Sequence, residues 1–169
     1  GEVDGVTLEW RLSDVGGRAY RGLVTVCTSL SELRDFVTDP SRLADWVAFT
    51  EAAHAVPAPE GERLYYLRTS APWPFKSRDM VYRLRPSEAP DGVRLVVEGV
   101  PDAVPERDGA VRMRAAEGEW LLDRTDGRIR VTFRLAVDPG RLPAFLLNRR
   151  LAATVAGTLG NLADRFPCD

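Results

Sequence analysis

From Phe49 to Val137 the chain is a succession of strand-length segments joined by turns rich in Pro, Gly, Asp and Glu, and a single long helical pattern closes it. The segments fall at about 49–57, 62–70, 78–86, 92–98, 110–116, 118–123 and 128–137. Strands this closely spaced pair antiparallel, because parallel pairing needs a long crossover between them. Ile129, Val131, Phe133 and Leu135 alternate with Arg130, Thr132 and Arg134. A period of two with this contrast gives a sheet one dry face and one wet face. Arg83, Arg85, Arg94, Arg112 and Arg114 are expected on the wet face with Arg130 and Arg134, as a solvated surface rather than a binding stripe.

The dry face needs a cover. Asp138-Pro139-Gly140 announces a helix from about Leu142 to Phe166, which would span on the order of 37 Å and cross a whole sheet. Leu147, Leu151, Val155, Leu159, Leu162 and Phe166 line one side of it, with Asn148 and Thr158 in or beside the stripe. Each of those two either satisfies its polar group on the backbone or faces a ligand. Earlier in the chain, Val6, Leu8, Trp10 and Leu12 mark a strand with one buried face, and Ala19 to Cys27 reads as one long strand or two short ones. Ser29 and Glu32 have capping-box spacing for a short helix that buries Leu33, Phe36 and Val37. Asp39 and Pro40 open another, with Leu43, Trp46 and Val47 inward. The expected fold class is therefore α+β, a single domain over 1–169, since 169 residues are enough for one core.

One helix laid across a large curved sheet often leaves the concavity incompletely filled, and what remains is a pocket. The segment Ala71-Pro72-Trp73-Pro74-Phe75 sits between two strands; its prolines restrict φ and withhold two donors, so it is a loop. Trp73 and Phe75 occupy positions where turns are usually polar, and they either pack onto a core or cap a pocket.

Four segments in order resemble the StAR-related lipid-transfer (START) family: a Pro-led helix ending in Trp46; the Pro/aromatic loop leading into Arg78-Asp79-Met80-Val81-Tyr82; a strand pair ending at Val137-Asp138-Pro139-Gly140; and Leu142-Pro143-Ala144-Phe145 opening the last helix. The resemblance covers nearly the whole chain. It lacks room for the helix that usually precedes the family's first strand, as in a trimmed or compact variant. It implies a helix-grip fold, a curved antiparallel sheet wrapped around the C-terminal helix, with a lipid held between them beneath a lid at Ala71 to Ser77. Carried onto this sequence, the ligand-binding residues are Tyr65, Leu67, Trp73, Phe75, Met80, Tyr82, Leu84, Leu95, Met113, Val131, Phe133, Leu147, Asn148, Leu151 and Val155. Leu84 stands where some relatives bury an arginine, which implies an apolar ligand or a headgroup held by Tyr65, Tyr82 or Asn148. Arg78 and Asp79 are expected to make structural ion pairs or hydrogen bonds at the strand mouth. The superfamily also contains polyketide cyclases and aromatases, for which Tyr82 with Asp79 or Tyr65 are the acid–base candidates.

Nothing else in the sequence favours catalysis. His54, the only histidine, lies in a strand between alanines, and there is no two-histidine metal motif, nucleophile elbow or phosphate-cradling loop. No cofactor or metal is expected. A net charge of -2, with Lys76 the only lysine, gives no electrostatic reason for nucleic acid or a polybasic membrane contact. Cys27 and Cys168 match neither a metal spacing nor a disulfide framework. No apolar run approaches membrane-span length and no signal peptide is present, although the chain opens on Gly1, as if a segment had been removed. The expectation is a monomeric carrier of one sterol, fatty acid or phospholipid, transiently contacting membranes, cytoplasmic or periplasmic. A domain whose core is completely filled is the other alternative, and a dry cavity of several hundred Å³ is what separates the two.

Overall fold

The computed structural model describes residues 1–3 and 5–169. Its strands are β1 (Glu2–Val3), β2 (Val6–Leu12), β3 (Arg18–Val26), β4 (Thr50–Val56), β5 (Leu64–Thr69), β6 (Ser77–Ala89), β7 (Gly92–Gly99), β8 (Ala110–Arg112), β9 (Ala115–Thr125) and β10 (Arg128–Asp138). Helix α1 (Leu30–Thr38) and α2 (Leu43–Trp46), joined by a 3₁₀ turn at Pro40–Arg42, follow β3, and α3 (Ala144–Arg165) closes the chain. The strands form one sheet in the order β1-β2-β3-β10-β9-β7-β6-β5-β4. Short β8 runs parallel to the first residues of β6, pairing Ser77 with Ala110 and Asp79 with Arg112, where β7 does not reach. The α+β helix-grip architecture is the one expected. Ala19 to Cys27 resolves as one strand rather than two.

Helix α1 and the 3₁₀ turn begin where side chains can satisfy free backbone donors. Ser29 Oγ accepts from the Glu32 amide at 3.1 Å, and Asp39 Oδ1 accepts from the Ser41 amide at 3.0 Å. Helix α3 packs its C-terminal half tightly on the sheet, where Val155, Leu159 and Leu162 are fully buried. Gly22 makes that approach possible: a Cβ there would lie 2.6 Å from Leu159 Cδ1 and 3.0 Å from Val155 Cγ1. Aromatic rings fill the same end of the concavity. Trp120 and Phe133, cross-strand neighbours, stack with centroids 3.9 Å apart, and Trp46, Phe36 and Phe166 continue the cluster.

Three expectations need correction. Cys27 and Cys168 form a disulfide across a sequence separation of 141, fastening the tail beyond α3 to the end of β3. Their spacing carried no signal because helix and sheet bring distant residues together; the Cys27 amide also donates to the Phe166 carbonyl. Arg112 is not on the wet face. Its side chain is fully buried against Asp79, with Nε–Oδ1 2.7 Å. It sits on the short strand inserted beside β6, where the alternation of the long strands does not apply. Finally, β2 buries Val6 but leaves Trp10 and Leu12 exposed. Trp10 instead carries the Arg18 guanidinium 3.7 Å above its ring. The remaining arginines behave as expected: Arg94 pairs with Glu119, Arg130 with Asp123, Arg134 with Glu117, and Arg83 and Arg85 share Glu98.

Candidate functional site

Between the N-terminal half of α3 and the far half of the sheet lies a cavity of about 130 Å³. Strand parity explains its walls. β5 presents Tyr65, Leu67 and Thr69, β6 presents Arg78, Met80, Tyr82 and Leu84, and β9 and β10 present Trp120, Phe133, Leu135 and Val137. The helix contributes Leu147, Arg150, Leu151 and Thr154, positions three and four apart that share one face. One end is closed by loop residues Ser70, Ala71, Pro72, Pro139 and Leu142.

Of the residues expected at the site, Tyr65, Leu67, Met80, Tyr82, Leu84, Met113, Phe133, Leu147 and Leu151 line the cavity. The others do not. Leu95, Val131 and Val155 are fully buried in the packed half of the core, because the alternation that turns a side chain inward does not say how far along the strand the hollow lies. Asn148 is half-buried on α3, outside the lining. Trp73 points away from the protein, 92% exposed, and Phe75 is half-buried. Only Ala71 and Pro72 of the expected lid reach the cavity. Thr158, beside the helical stripe, is accounted for structurally: its Oγ1 accepts from the Ala48 amide at 3.1 Å.

Sequence reasoning missed Trp120, Arg78 and Arg150. Arg78 shares the parity of Met80 and Tyr82, and Arg150 lies one turn from Leu147, so both were legible once the hollow was located. Asp79, of opposite parity, faces the other side of the sheet, where it accepts from Tyr66 Oη at 2.8 Å and from Arg112. His54 is on that side too. Its ring stacks on Tyr66, with Nδ1 2.9 Å from the Ala55 carbonyl and Nε2 3.0 Å from Arg107 Nη1. Since an arginine can only donate, Nε2 accepts and the proton sits on Nδ1.

The chemistry of the lining is apolar with few polar groups. Tyr65 Oη is occupied, donating to the Thr38 carbonyl at 2.6 Å. Burial raises the pKa of Tyr82 far above the ordinary phenol range and that of Tyr65 as well. Neither is poised to exchange a proton near neutrality. No Asp, Glu or His is among the lining residues. Both methionines of the chain, Met80 and Met113, are. At about 130 Å³ the hollow is smaller than the several hundred Å³ that would hold a lipid without adjustment. The Trp120–Phe133 stack occupies much of the concavity. A dry cavity near 150 Å³ takes a benzene-sized group, so a longer ligand requires the walls to move, and thioether side chains are the ones that repack most readily. Among the described residues no group of three or more His, Cys, Asp or Glu converges as a metal site, and no helix is long and apolar enough to cross a membrane.

No family model matches the chain. A curated relative, an uncharacterized protein of Pseudomonas aeruginosa, is 26% identical over 167 residues, covering 95% of this chain and 82% of that protein. Among solved structures, the STAR-related lipid transfer protein of Xanthomonas axonopodis (fragment 25–204) superposes with a TM-score of 0.87 at 30% identity, over 98% of this chain and 95% of that one. Human StAR-related lipid transfer protein 5 gives a TM-score of 0.84 at 19% identity, over 98% and 84%. The fold is also shared, at a TM-score of 0.58 and 10% identity, by the di-domain ARO/CYC StfQ from the steffimycin biosynthetic pathway, of which this chain matches 49% while 94% of its own length is covered.

Proposed function

The chain belongs to the StAR-related lipid-transfer (START) family, and from that premise we propose that it is a monomeric carrier that binds one hydrophobic molecule between the sheet and α3 and passes it between membranes. The observation that carries this reading is the cavity: an apolar lining with flexible methionines and no acid–base pair. Binding would draw on removing ligand surface from water, about 25 cal/mol per Å², with a few polar groups setting orientation. A cyclase-like enzyme on the same fold would need a proton donor and acceptor facing the substrate. Asp79 faces the opposite side of the sheet, held by Arg112 and Tyr66, and the two lining tyrosines hold their protons, which favours the carrier.

Exposed Trp73 and Phe145, 92% and 71% accessible, flank the loop-lined end. Aromatics of this kind partition into membrane interfaces, so that end is the proposed point of contact and ligand entry. The test is uptake of a fluorescent fatty acid or sterol followed by transfer between vesicles. Leu151→Arg should abolish uptake while Arg130→Ala, on the outer face, leaves it intact; Trp73→Ala should slow transfer more than it weakens binding. Equal loss in Leu151→Arg and Arg130→Ala, both folded, would refute the cavity assignment. The Cys27–Cys168 bridge favours an oxidising compartment over the cytosol. Thiol labelling of the protein in intact host cells checks this: free thiols at both positions would place it in a reducing compartment.

A further inference from the structure

The lining of the cavity contains two charged side chains, Arg78 and Arg150, and both are cations. Neither has a carboxylate within salt-bridge distance among the described residues. Arg78 is 5% exposed; its Nε donates to the Pro139 carbonyl at 3.1 Å and its Nη1 to the Lys76 carbonyl at 2.6 Å. Those acceptors are neutral, so they satisfy geometry without compensating the charge. Arg150 lies 3.9 Å above the ring of Phe49, and its buried Nε has no acceptor among the described residues. Phe49 itself is held at φ 62°, a left-handed conformation that an aromatic residue adopts only when its surroundings impose it. Its carbonyl is fixed by the Ser70 amide at 2.9 Å and by Thr69 Oγ1 at 3.2 Å. This places Arg150 and its aromatic platform against the segment that closes the cavity near Arg78. The other buried arginine, Arg112, is paired with Asp79, and arginines of the outer sheet face such as Arg83, Arg94 and Arg134 pair with Glu; arginines without a carboxylate elsewhere, such as Arg11 and Arg107, are exposed to water. Two partly or wholly buried guanidiniums facing one apolar hollow are a costly arrangement unless an anion completes it.

We propose that the cavity selects an anionic amphiphile, its carboxylate or phosphate held between Arg78 and Arg150 at the loop-lined end and its apolar chain directed toward Trp120 and Phe133. The proposal rests on the carrier reading above and narrows it to a ligand class. Burial lowers the pKa of both guanidiniums from the ordinary arginine value, as expected of cations short of a counter-charge, and an arginine stays protonated at any pH of use. The headgroup site is therefore these two arginines, not Tyr65, whose hydroxyl is already committed to Thr38.

The test measures displacement of Nile red, a neutral reporter, by dodecanoate, dodecyl phosphate and dodecanol at pH 7.5. Charge-assisted hydrogen bonds predict that one or both anions compete at concentrations at least about tenfold below the alcohol. Arg150→Met should remove most of that preference, the ratio of the competing concentrations of alcohol and anion falling toward one, and Arg150→Lys should retain part of it. Arg78→Met provides the same readout if it folds; Arg150→Met suffices if it does not. The choice between dodecanoate and dodecyl phosphate identifies the head, and inorganic phosphate alone at millimolar concentration should displace nothing. Equal competition by dodecanol and the anions in the native protein, or equal loss of all three in Arg150→Met, overturns the proposal while leaving the carrier reading standing. Displacement by inorganic phosphate overturns the amphiphile. If neither Nile red nor any of the twelve-carbon chains binds, the carrier reading falls and takes this inference with it.

Discussion

Replacing Arg112 by methionine isolates the buried electrostatic knot on the outer side of β6. Arg112 and Asp79 are each essentially inaccessible, joined through Nε–Oδ1 at 2.7 Å, and Tyr66 Oη donates to the second carboxylate oxygen at 2.8 Å. The same guanidinium donates to the carbonyls of Pro101, Val104 and Pro105 at 2.7, 2.8 and 3.1 Å, pinning the loop that leads into β8. Methionine fills similar space but leaves a buried carboxylate without its counter-ion and three carbonyls without their donor. Breaking one side of a buried pair costs about 3–5 kcal/mol, a large share of the ~5–15 kcal/mol stabilising a domain. For a domain of this size each kcal/mol moves Tm by about 2–4 °C, so the midpoint should fall by roughly 6–20 °C. Urea unfolding followed by far-UV circular dichroism measures the loss directly. Adding Asp79→Asn removes the orphaned charge, so the double variant should be more stable than the sum of the single effects by over about 1 kcal/mol. A loss below 1 kcal/mol in Arg112→Met, or strict additivity, would show that the pair does not act as a buried ionic unit.

Two further outcomes are expected. Reducing the disulfide, or replacing both cysteines with serine, releases a loop of 141-residue separation; thermal unfolding with and without reductant should show a loss of about 2–5 kcal/mol, and a loss below 1 kcal/mol would mean that α3 stays docked without the bridge. Burial raises the pKa of Tyr65, Tyr66 and Tyr82, with the hydrogen bond to Asp79 adding to it for Tyr66. Above pH ~10 the unfolded chain then loses phenolic protons that the folded one keeps, so stability should fall as pH rises through that range and be unaffected by these groups below it. Ultraviolet phenolate titration checks this, and the reasoning fails if all tyrosines ionise together near pH 10 without unfolding.

Local pattern was enough for most of the frame. Alternation at 129–135, Asp39-Pro40, Asp138-Pro139-Gly140 and the spacing of Leu147 and Leu151 act within a strand or a helical turn, and each element formed close to where those signals put it. The same parity turned Met80, Tyr82, Leu84 and Phe133 toward the helix, whereas the strand at 62–70 is ambiguous by pattern and only the family resemblance puts Tyr65 and Leu67 inward. What parity cannot express is depth. Leu95, Val131 and Val155 point the same way as the cavity residues, yet they lie where Gly22 lets α3 close on the sheet and where Trp120, Phe133 and Trp46 stack. Whether an inward residue meets a neighbour or a void depends on how two elements distant in sequence approach each other. The same holds for the partners that only meet in the folded chain: Cys27 with Cys168, Asp79 with Arg112, and Arg78 facing the hollow with Arg150. The two bonded pairs join residues 33 and 141 positions apart, and Arg78 and Arg150 reach one cavity from a strand and a helix, so each arrangement depends on long-range geometry that no local periodicity records.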